Sequence, residues 1–317
     1  MRILVAGASG AVGRYLVPQL VAAGHKVVGT GRSDQSLAAI QKLGAPALAM
    51  DGLDSASVSQ AVQQAKPEVI IHQMTQLAGA SDLRQFEKAF ATSNRLRTEG
   101  LEHLISAGTA CGVKRIVAQS FCGWPYARVG GNIKSEIDPL DDNPPREMRT
   151  TLEAIRFLEG RLQSLKNMDG VVLRYGGFYG PSSGLLEPNF IDQVRHRKAP
   201  LIGGGNGWWS FIHLADAASA TAAFVDRGSP GIYNVVDDDP APVRVWLPFL
   251  AEILGAKHPI KIPAWIASLA AGDHVVKMMT EIRAGSNAKL KAEMAWKPQY
   301  PSWRQGVPDA LGISNKK

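Results

Sequence analysis

Short aliphatic and β-branched runs recur along the chain: Ile3–Ala6, Val27–Thr30, Ala47–Met50, Val69–His72, Ile116–Ala118, Val171–Leu173 and Tyr233–Val236. They are continuously apolar rather than alternating, and stretches of helical period separate them. Strands buried on both faces and alternating with helices predict a doubly wound parallel α/β sheet of the Rossmann kind, with right-handed crossovers. Ala11–Ala23 reads as the first helix, closed by Gly24, with Pro18 expected to kink it or weaken its first half. Arg84–Gly108 reads as a long helical stretch of mixed pattern. Arg149–Leu165 places Leu152, Ile155, Leu158, Leu162 and Leu165 on one stripe. Tyr126–Pro145, rich in Gly, Pro and Asp, reads as a long surface loop of the lid or binding type. Beyond Gly176 the strands become irregular, while glycine, proline and aromatic residues cluster. The pattern predicts a Rossmann domain over 1–175 and a smaller substrate-binding region over 176–317. The two are expected to interleave, with about 211–240 returning to the main sheet.

The 317 residues, 45% of them hydrophobic and 20% charged, suffice for a sizeable core. The N-terminus lacks signal-peptide texture, and no run approaches the roughly 18 apolar residues of a membrane span. Trp265–Ala271 is the most apolar patch and is far shorter. No membrane partner is expected. Two cysteines, Cys111 and Cys122, form no disulfide framework and suit a reducing, cytoplasmic setting. The net charge of +7 is scattered, without a basic run, which fits an anionic cofactor better than a nucleic acid. The seven histidines show no metal-ligand spacing, so no metal site is predicted.

Gly7-Ala8-Ser9-Gly10-Ala11-Val12-Gly13 follows the first strand and opens the first helix. The first glycine permits the tight turn, Gly10 lets backbone approach a pyrophosphate, and Gly13 lets helix and strand pack. A pyrophosphate there meets free N–H groups and the positive end of the helix dipole. The second strand ends Gly29-Thr30-Gly31-Arg32-Ser33, without the acid that grips the ribose hydroxyls of NAD. Gly31 is expected to leave room, and Arg32 and Ser33 to contact a 2′-phosphate. The cofactor predicted is NADP(H).

With these pieces, Asp51-Gly52-Leu53-Asp54, Leu173-Arg174-Tyr175, Tyr179-Gly180-Pro181, Gly203-Gly204-Gly205 and Phe211–Asp216 complete an ordered set. The sequence resembles the extended short-chain dehydrogenase/reductases, the NAD-dependent epimerase/dehydratase family, over nearly its whole length. The resemblance implies that Asp51 and Gly52 lie near the adenine, and that Gln73 and Met74 run beside a cofactor ribose. It implies that Tyr175, Gly176 and Phe178 pass the nicotinamide. His213 and Asp216 are read as structural, positioning a loop. The family habit of pairing helices into a four-helix bundle implies a homodimer.

The chain also departs from the family. Its catalytic Tyr-x-x-x-Lys pair is absent; Thr151 stands at the tyrosine position and Ile155 at the lysine position. At the Ser-rich turn after the fifth strand stand Ser120, Phe121 and Cys122. Ser120, Tyr126 and Thr151 are therefore the candidates for contact with a reacting oxygen. Gly176-Gly177 and Trp208-Trp209 replace residues typical of nucleotide-sugar enzymes, which implies a smaller, more apolar or aromatic substrate. Cys122, Trp124, Trp208 and Trp209 are the candidate substrate contacts. The leading expectation is an NADP(H)-dependent oxidoreductase acting on a carbonyl or hydroxyl of a small non-nucleotide molecule. A redox-neutral epimerase or isomerase and a non-catalytic NADP(H) sensor remain open beside it.

Overall fold

The computed structural model describes residues 1–77 and 86–313. Strands β1 (Arg2–Ala6), β2 (Lys26–Gly31), β3 (Ala47–Ala49), β4 (Val69–His72) and β5 (Arg115–Phe121) join the strands Asp169–Tyr175 and Gly231–Val235 in one seven-stranded parallel sheet. The spatial order is Gly231–Val235, Asp169–Tyr175, β5, β4, β1, β2, β3. Alternation sends Val5, Ile71, Val117 and Leu173 to one face, and Leu4, Ile70, Ile116 and Val172 to the other. Both faces are covered, which explains why these strands read as continuous apolar runs. All seven predicted strands are present. The strand order reverses between β1 and β4, and in such sheets ligands bind beyond the carboxyl ends at that crevice.

Helix α1 (Gly13–Ala22) runs on past Pro18. Leu16, Val17 and Leu20 face the core, whereas Pro18 and Arg14 are exposed, so the Arg14 carbonyl that Pro18 leaves without a partner lies on the solvent side. Helices α2 (Asp34–Lys42) and α3 (Ser55–Ala65) follow β2 and β3. The long helix expected over Arg84–Gly108 is present and contains a π turn. Arg84 lies outside the described residues, and α4 (Phe86–Arg95) reaches α5 (Leu101–Ala110) through a π turn, Leu96–Gly100. Such turns recur at functional sites. Helix α6 (Arg146–Gln163) buries Leu152, Ile155, Leu158 and Leu162.

The loop expected over Tyr126–Pro145 is present and lies largely on the surface, with Val129 and Ile137 exposed, but it is anchored at several points. Tyr126 is fully buried and bridges Leu140, and Ile133–Lys134 pairs with Ala284–Gly285. The charges that made the stretch look solvated tie it down. Arg128 pairs with Asp141 and, at 3.1 Å, with Glu281, while Lys134 holds the Val129 carbonyl at 2.7 Å. Among the described residues no helix is long and apolar enough to cross a membrane.

His72 ends β4 at 1% exposure. Its Nδ1 accepts from the Met74 N–H at 3.2 Å, so Nε2–H donates to the Leu96 carbonyl at 3.1 Å. Burial depresses its pKa from 6.5 to about 4, and the nearby Arg97 charge acts in the same direction. A lowered folded pKa means stability that is complete above pH 6.5 and drains away as pH falls toward 4. The loss is about 3 kcal/mol. The melting temperature is expected to fall several degrees between pH 7 and pH 4.5, and His72→Asn to flatten that slope. A parallel decline in the variant removes His72 as the cause.

Candidate functional site

The glycine turn lies at the β1–β4 crevice. Gly7 adopts φ +89°, and a Cβ there would stand 2.8 Å from the Gln73 backbone, so no side chain fits between the strands. The Gly10 N–H closes the turn on the Gly7 carbonyl at 3.1 Å. A Cβ on Gly13 would lie 2.2 Å from the Ala8 carbonyl oxygen, which fixes how closely α1 packs on the turn. Gly10 is exposed, Ser9 and Ala11 half-buried, and Val12 anchors the turn in the core. No side chain caps α1, so its opening backbone is available to an anion.

At the end of β2, Gly31 makes room for a different partner from the one expected. A Cβ there would meet Ser36 Oγ at 2.3 Å. Ser36 and Ser33 form a reciprocal cap on α2: Ser33 Oγ accepts from the Ser36 N–H at 3.2 Å, and Ser36 Oγ from the Ser33 N–H at 3.0 Å. Arg32 is exposed and reaches across to the segment after β4, donating from Nη2 to Gln76 Oε1 at 3.2 Å. The Asp51 carboxylate caps the Leu53 N–H at 3.0 Å. A Cβ on Gly52 would lie 2.6 Å from Met74 Sδ, which places those two residues in contact. Gln73 Nε2 donates to Tyr175 Oη at 3.0 Å, and that hydroxyl lies 2.6 Å from Thr221 Oγ1. The Tyr175 ring is therefore a core member, its pKa pushed up to about 12 by burial, with Phe178 packed beside it. Gly176 passes so close to the Ser210 carbonyl, 2.9 Å from a would-be Cβ, that no side chain fits there.

The three candidates for contact with a reacting oxygen are all buried and already engaged. Ser120 Oγ donates to Glu159 Oε1 at 2.7 Å. Arg174 grips the same carboxylate through Nε at 2.8 Å and Nη2 at 2.6 Å, and donates from Nη1 to Tyr126 Oη at 3.0 Å. Tyr126 in turn donates to Asn234 Oδ1 at 2.7 Å. Burial raises the Tyr126 pKa far above the range of a working acid, even against the Arg174 charge. Thr151 Oγ1 accepts from Asn94 Nδ2 at 3.0 Å. Cys122 is buried, and burial pushes its thiol up to about 12, so it is no nucleophile. His213 Nδ1 caps the helix Leu214–Ala223 through the Ala215 N–H, and Asp216 accepts from the Gln299 and Tyr300 N–H groups. Both position chain segments, as the sequence suggested.

Beyond the ends of β5 and of Asp169–Tyr175 lies a small apolar hollow. Its cavity volume is only about 20 Å³, and it is lined by Phe121, Cys122, Trp124, Trp209, Met278 and Ile282. Trp124 packs edge-on against Phe86 at 5.7 Å, and Trp209 Nε1 donates to the Met278 carbonyl at 3.0 Å. Trp208 stays outside this lining; it sits in a short strand whose N–H bonds the Ile282 carbonyl at 2.9 Å. Met278 and Ile282 were not foreseen. They come from a distant helix, Asp273–Thr280, and the residues after it, which carry no motif.

Residues 3–235 match the NAD dependent epimerase/dehydratase family. A 3-diazoavenalumate denitrifying reductase from a Streptomyces species is 38% identical, over 97% of this chain and 99% of its own. A 4-hydroxy-2-methyl-3-oxo-4-farnesyl-3,4-dihydroquinoline-1-oxide ketoreductase from Stigmatella aurantiaca is 26% identical over 86% of this chain and 79% of its own. Among solved structures, a UDP-glucose 4-epimerase from Thermotoga maritima superimposes with a TM-score of 0.78 at 19% identity, covering 99% of this chain and 98% of that one. That structural likeness bears on the fold.

Proposed function

The chain belongs to the NAD dependent epimerase/dehydratase family, and from that premise we propose that it is an NADP(H)-dependent reductase of a small aromatic acceptor that takes no proton from a side chain. One observation carries the second half of this reading. Ser120, Tyr126 and Thr151, the hydroxyls nearest the expected reaction site, are buried and committed to neighbours. Tyr126 keeps its proton throughout the working pH range, donated to Asn234, and burial makes it a poor acid.

The residues fit a dinucleotide. The side-chain-free floor at Gly7 and the uncapped start of α1 would hold the pyrophosphate, and Arg32 and Ser33 the 2′-phosphate. When bound, the reduced coenzyme supplies hydride. The chain's own work is to hold the acceptor flat against Phe121, Trp124 and Trp209 and to keep water away. An arenediazonium ion suits such a site. It accepts hydride, loses dinitrogen and leaves the arene, so charge and atoms balance with no proton moved. The Streptomyces relative is named as a denitrifying reductase of a diazo compound. A ketone is the second reading, favoured by the ketoreductase relative, with water supplying the proton.

The test follows absorbance of NADPH with a panel of arenediazonium ions and aryl ketones, against enzyme-free blanks. Turnover is expected with at least one diazonium ion, and its arene and dinitrogen in equal amounts. Tight NADPH binding with no turnover of either class would favour a sensor instead. Tyr126→Phe is expected to leave turnover within about threefold of the parent while costing about 1–3 kcal/mol of stability, because Arg174 and Asn234 lose a shared partner. Loss of turnover in a folded Tyr126→Phe protein would return Tyr126 to the chemistry. We also propose a homodimer; Phe157, 41% exposed on α6, is an apolar residue that such an interface would cover. A monomeric mass by light scattering removes that proposal.

A further inference from the structure

Arg97 lies on the π turn Leu96–Gly100 at 6% exposure. A guanidinium remains charged throughout the working pH range. A cation in a protein interior is costly unless an anion or a set of acceptors compensates it. Arg174, the other buried arginine among the described residues, is compensated by two bonds to Glu159. Arg97 is not. Its Nη1 donates to Asn94 Oδ1 at 3.1 Å, its Nε is enclosed without an acceptor, and among the described residues no carboxylate pairs with it. Burial pulls its pKa down to about 10 with nothing acting against it.

The surroundings place this charge at the working end of the sheet. Asn94, one turn earlier on the same side, connects it to Thr151 on α6. Thr151 and Ile155 are the positions where the sequence comparison expected a tyrosine and a lysine. Ile155 is 1% exposed in an apolar cluster and brings no charge. His72, the last residue of β4, is close enough to feel Arg97, and it is neutral and compensates nothing. β4 ends in the same crevice as the glycine turn.

We propose that Arg97 is the receptor for a paired-oxygen acceptor on the bound ligand, and that it returns, from the π turn, the cation that Ile155 removes from α6. An arginine fork fits two adjacent oxygens better than an ammonium does. Two sources carry that chemistry: a ribose diol of the coenzyme and a carboxylate of the substrate. The inference rests on the coenzyme reading above only for the first source.

Arg97→Met keeps the length of the side chain and removes the charge. NADPH is titrated calorimetrically into parent and variant, and benzoate into each protein loaded with NADPH, with the melting temperature of the ligand-free proteins measured alongside. The ligand-free variant is expected to melt at or above the parent, because an uncompensated buried charge is gone. One ligand is expected to lose about tenfold or more in affinity: NADPH if the diol is the source, benzoate if the carboxylate is. Unchanged affinity for both overturns the proposal, as does a melting temperature several degrees lower with both affinities intact, the mark of a purely structural arginine. Should the methionine variant not fold, Arg97→Lys keeps the charge and loses the fork. It is expected to weaken the same ligand severalfold, and parental affinity for both ligands overturns the proposal. If the parent itself binds no NADPH, the coenzyme reading fails separately, and benzoate binding by the ligand-free proteins decides the role of Arg97.

Discussion

Glu159→Leu is expected to lower the free energy of unfolding by about 3–5 kcal/mol, the largest stability loss from any single site discussed for this chain. The carboxylate is 4% exposed and takes three hydrogen bonds, two from Arg174 and one from Ser120. Removing it strands a guanidinium whose side chain is 4% exposed, and water cannot reach in to replace the lost partner. The same guanidinium holds Tyr126, and through it Asn234 on the strand Gly231–Val235, so the damage spreads to the loop after β5 and to that strand. The double variant Glu159→Leu with Arg174→Met is expected to recover most of the loss, because the pair is replaced by apolar volume rather than halved. Urea midpoints with unchanged slopes measure both. A double variant no better than the single one would mean that the network's value lies in its polar bonds to Ser120 and Tyr126 rather than in charge compensation.

The same network explains why the architecture was readable in the sequence and the site was not. The strands announce themselves because both faces of the sheet are covered, so Ile3–Ala6 and Val69–His72 have no polar side to interrupt them. The glycine turn was legible because Gly7 and Gly13 each answer a local steric demand that a spacing rule captures. The burial of Tyr126 was harder to see. It opens a stretch rich in Gly, Pro and Asp, residues that normally mark solvent, and partners at Arg174 and Asn234, 48 and 108 positions along the chain, hold it inside. The π turn was not legible for a related reason: helical period continues through Arg95–Leu101, and one extra residue in a turn leaves no mark on composition. Gly31 shows a finer limit. The glycine was recognised as making space, but the occupant, Ser36, is set by the geometry of the α2 cap. Met278 and Ile282 reach the hollow through chain reversal alone.

Arg32→Glu is expected to weaken NADPH binding by about a hundredfold while leaving NADH within a few-fold of the parent. The two coenzymes differ by one phosphate, so the contrast isolates whatever meets that phosphate. Arg32 is exposed, and its one side-chain partner among the described residues is the neutral amide of Gln76. Among the described residues no carboxylate pairs with it, and the adjacent Ser33 is fixed in place by the cap it shares with Ser36. A charge-assisted hydrogen bond in such a setting contributes about 1.5–3 kcal/mol, and reversing the sign replaces that attraction with repulsion. The site is open to solvent, so the effect must be screened. Raising salt from 50 to 500 mM is expected to narrow the gap between the coenzymes in the parent and, by screening the repulsion, to return part of the lost NADPH affinity once the charge is reversed. Asp34, in the first turn of α2, stands two residues away and limits how far the preference can be pushed toward NADPH in the parent. Asp34→Asn is accordingly expected to move preference in the opposite direction from Arg32→Glu. Calorimetry on the three proteins reads all of this, and equal loss of both coenzymes in Arg32→Glu would mean that the arginine shapes the turn and does not recognise the phosphate.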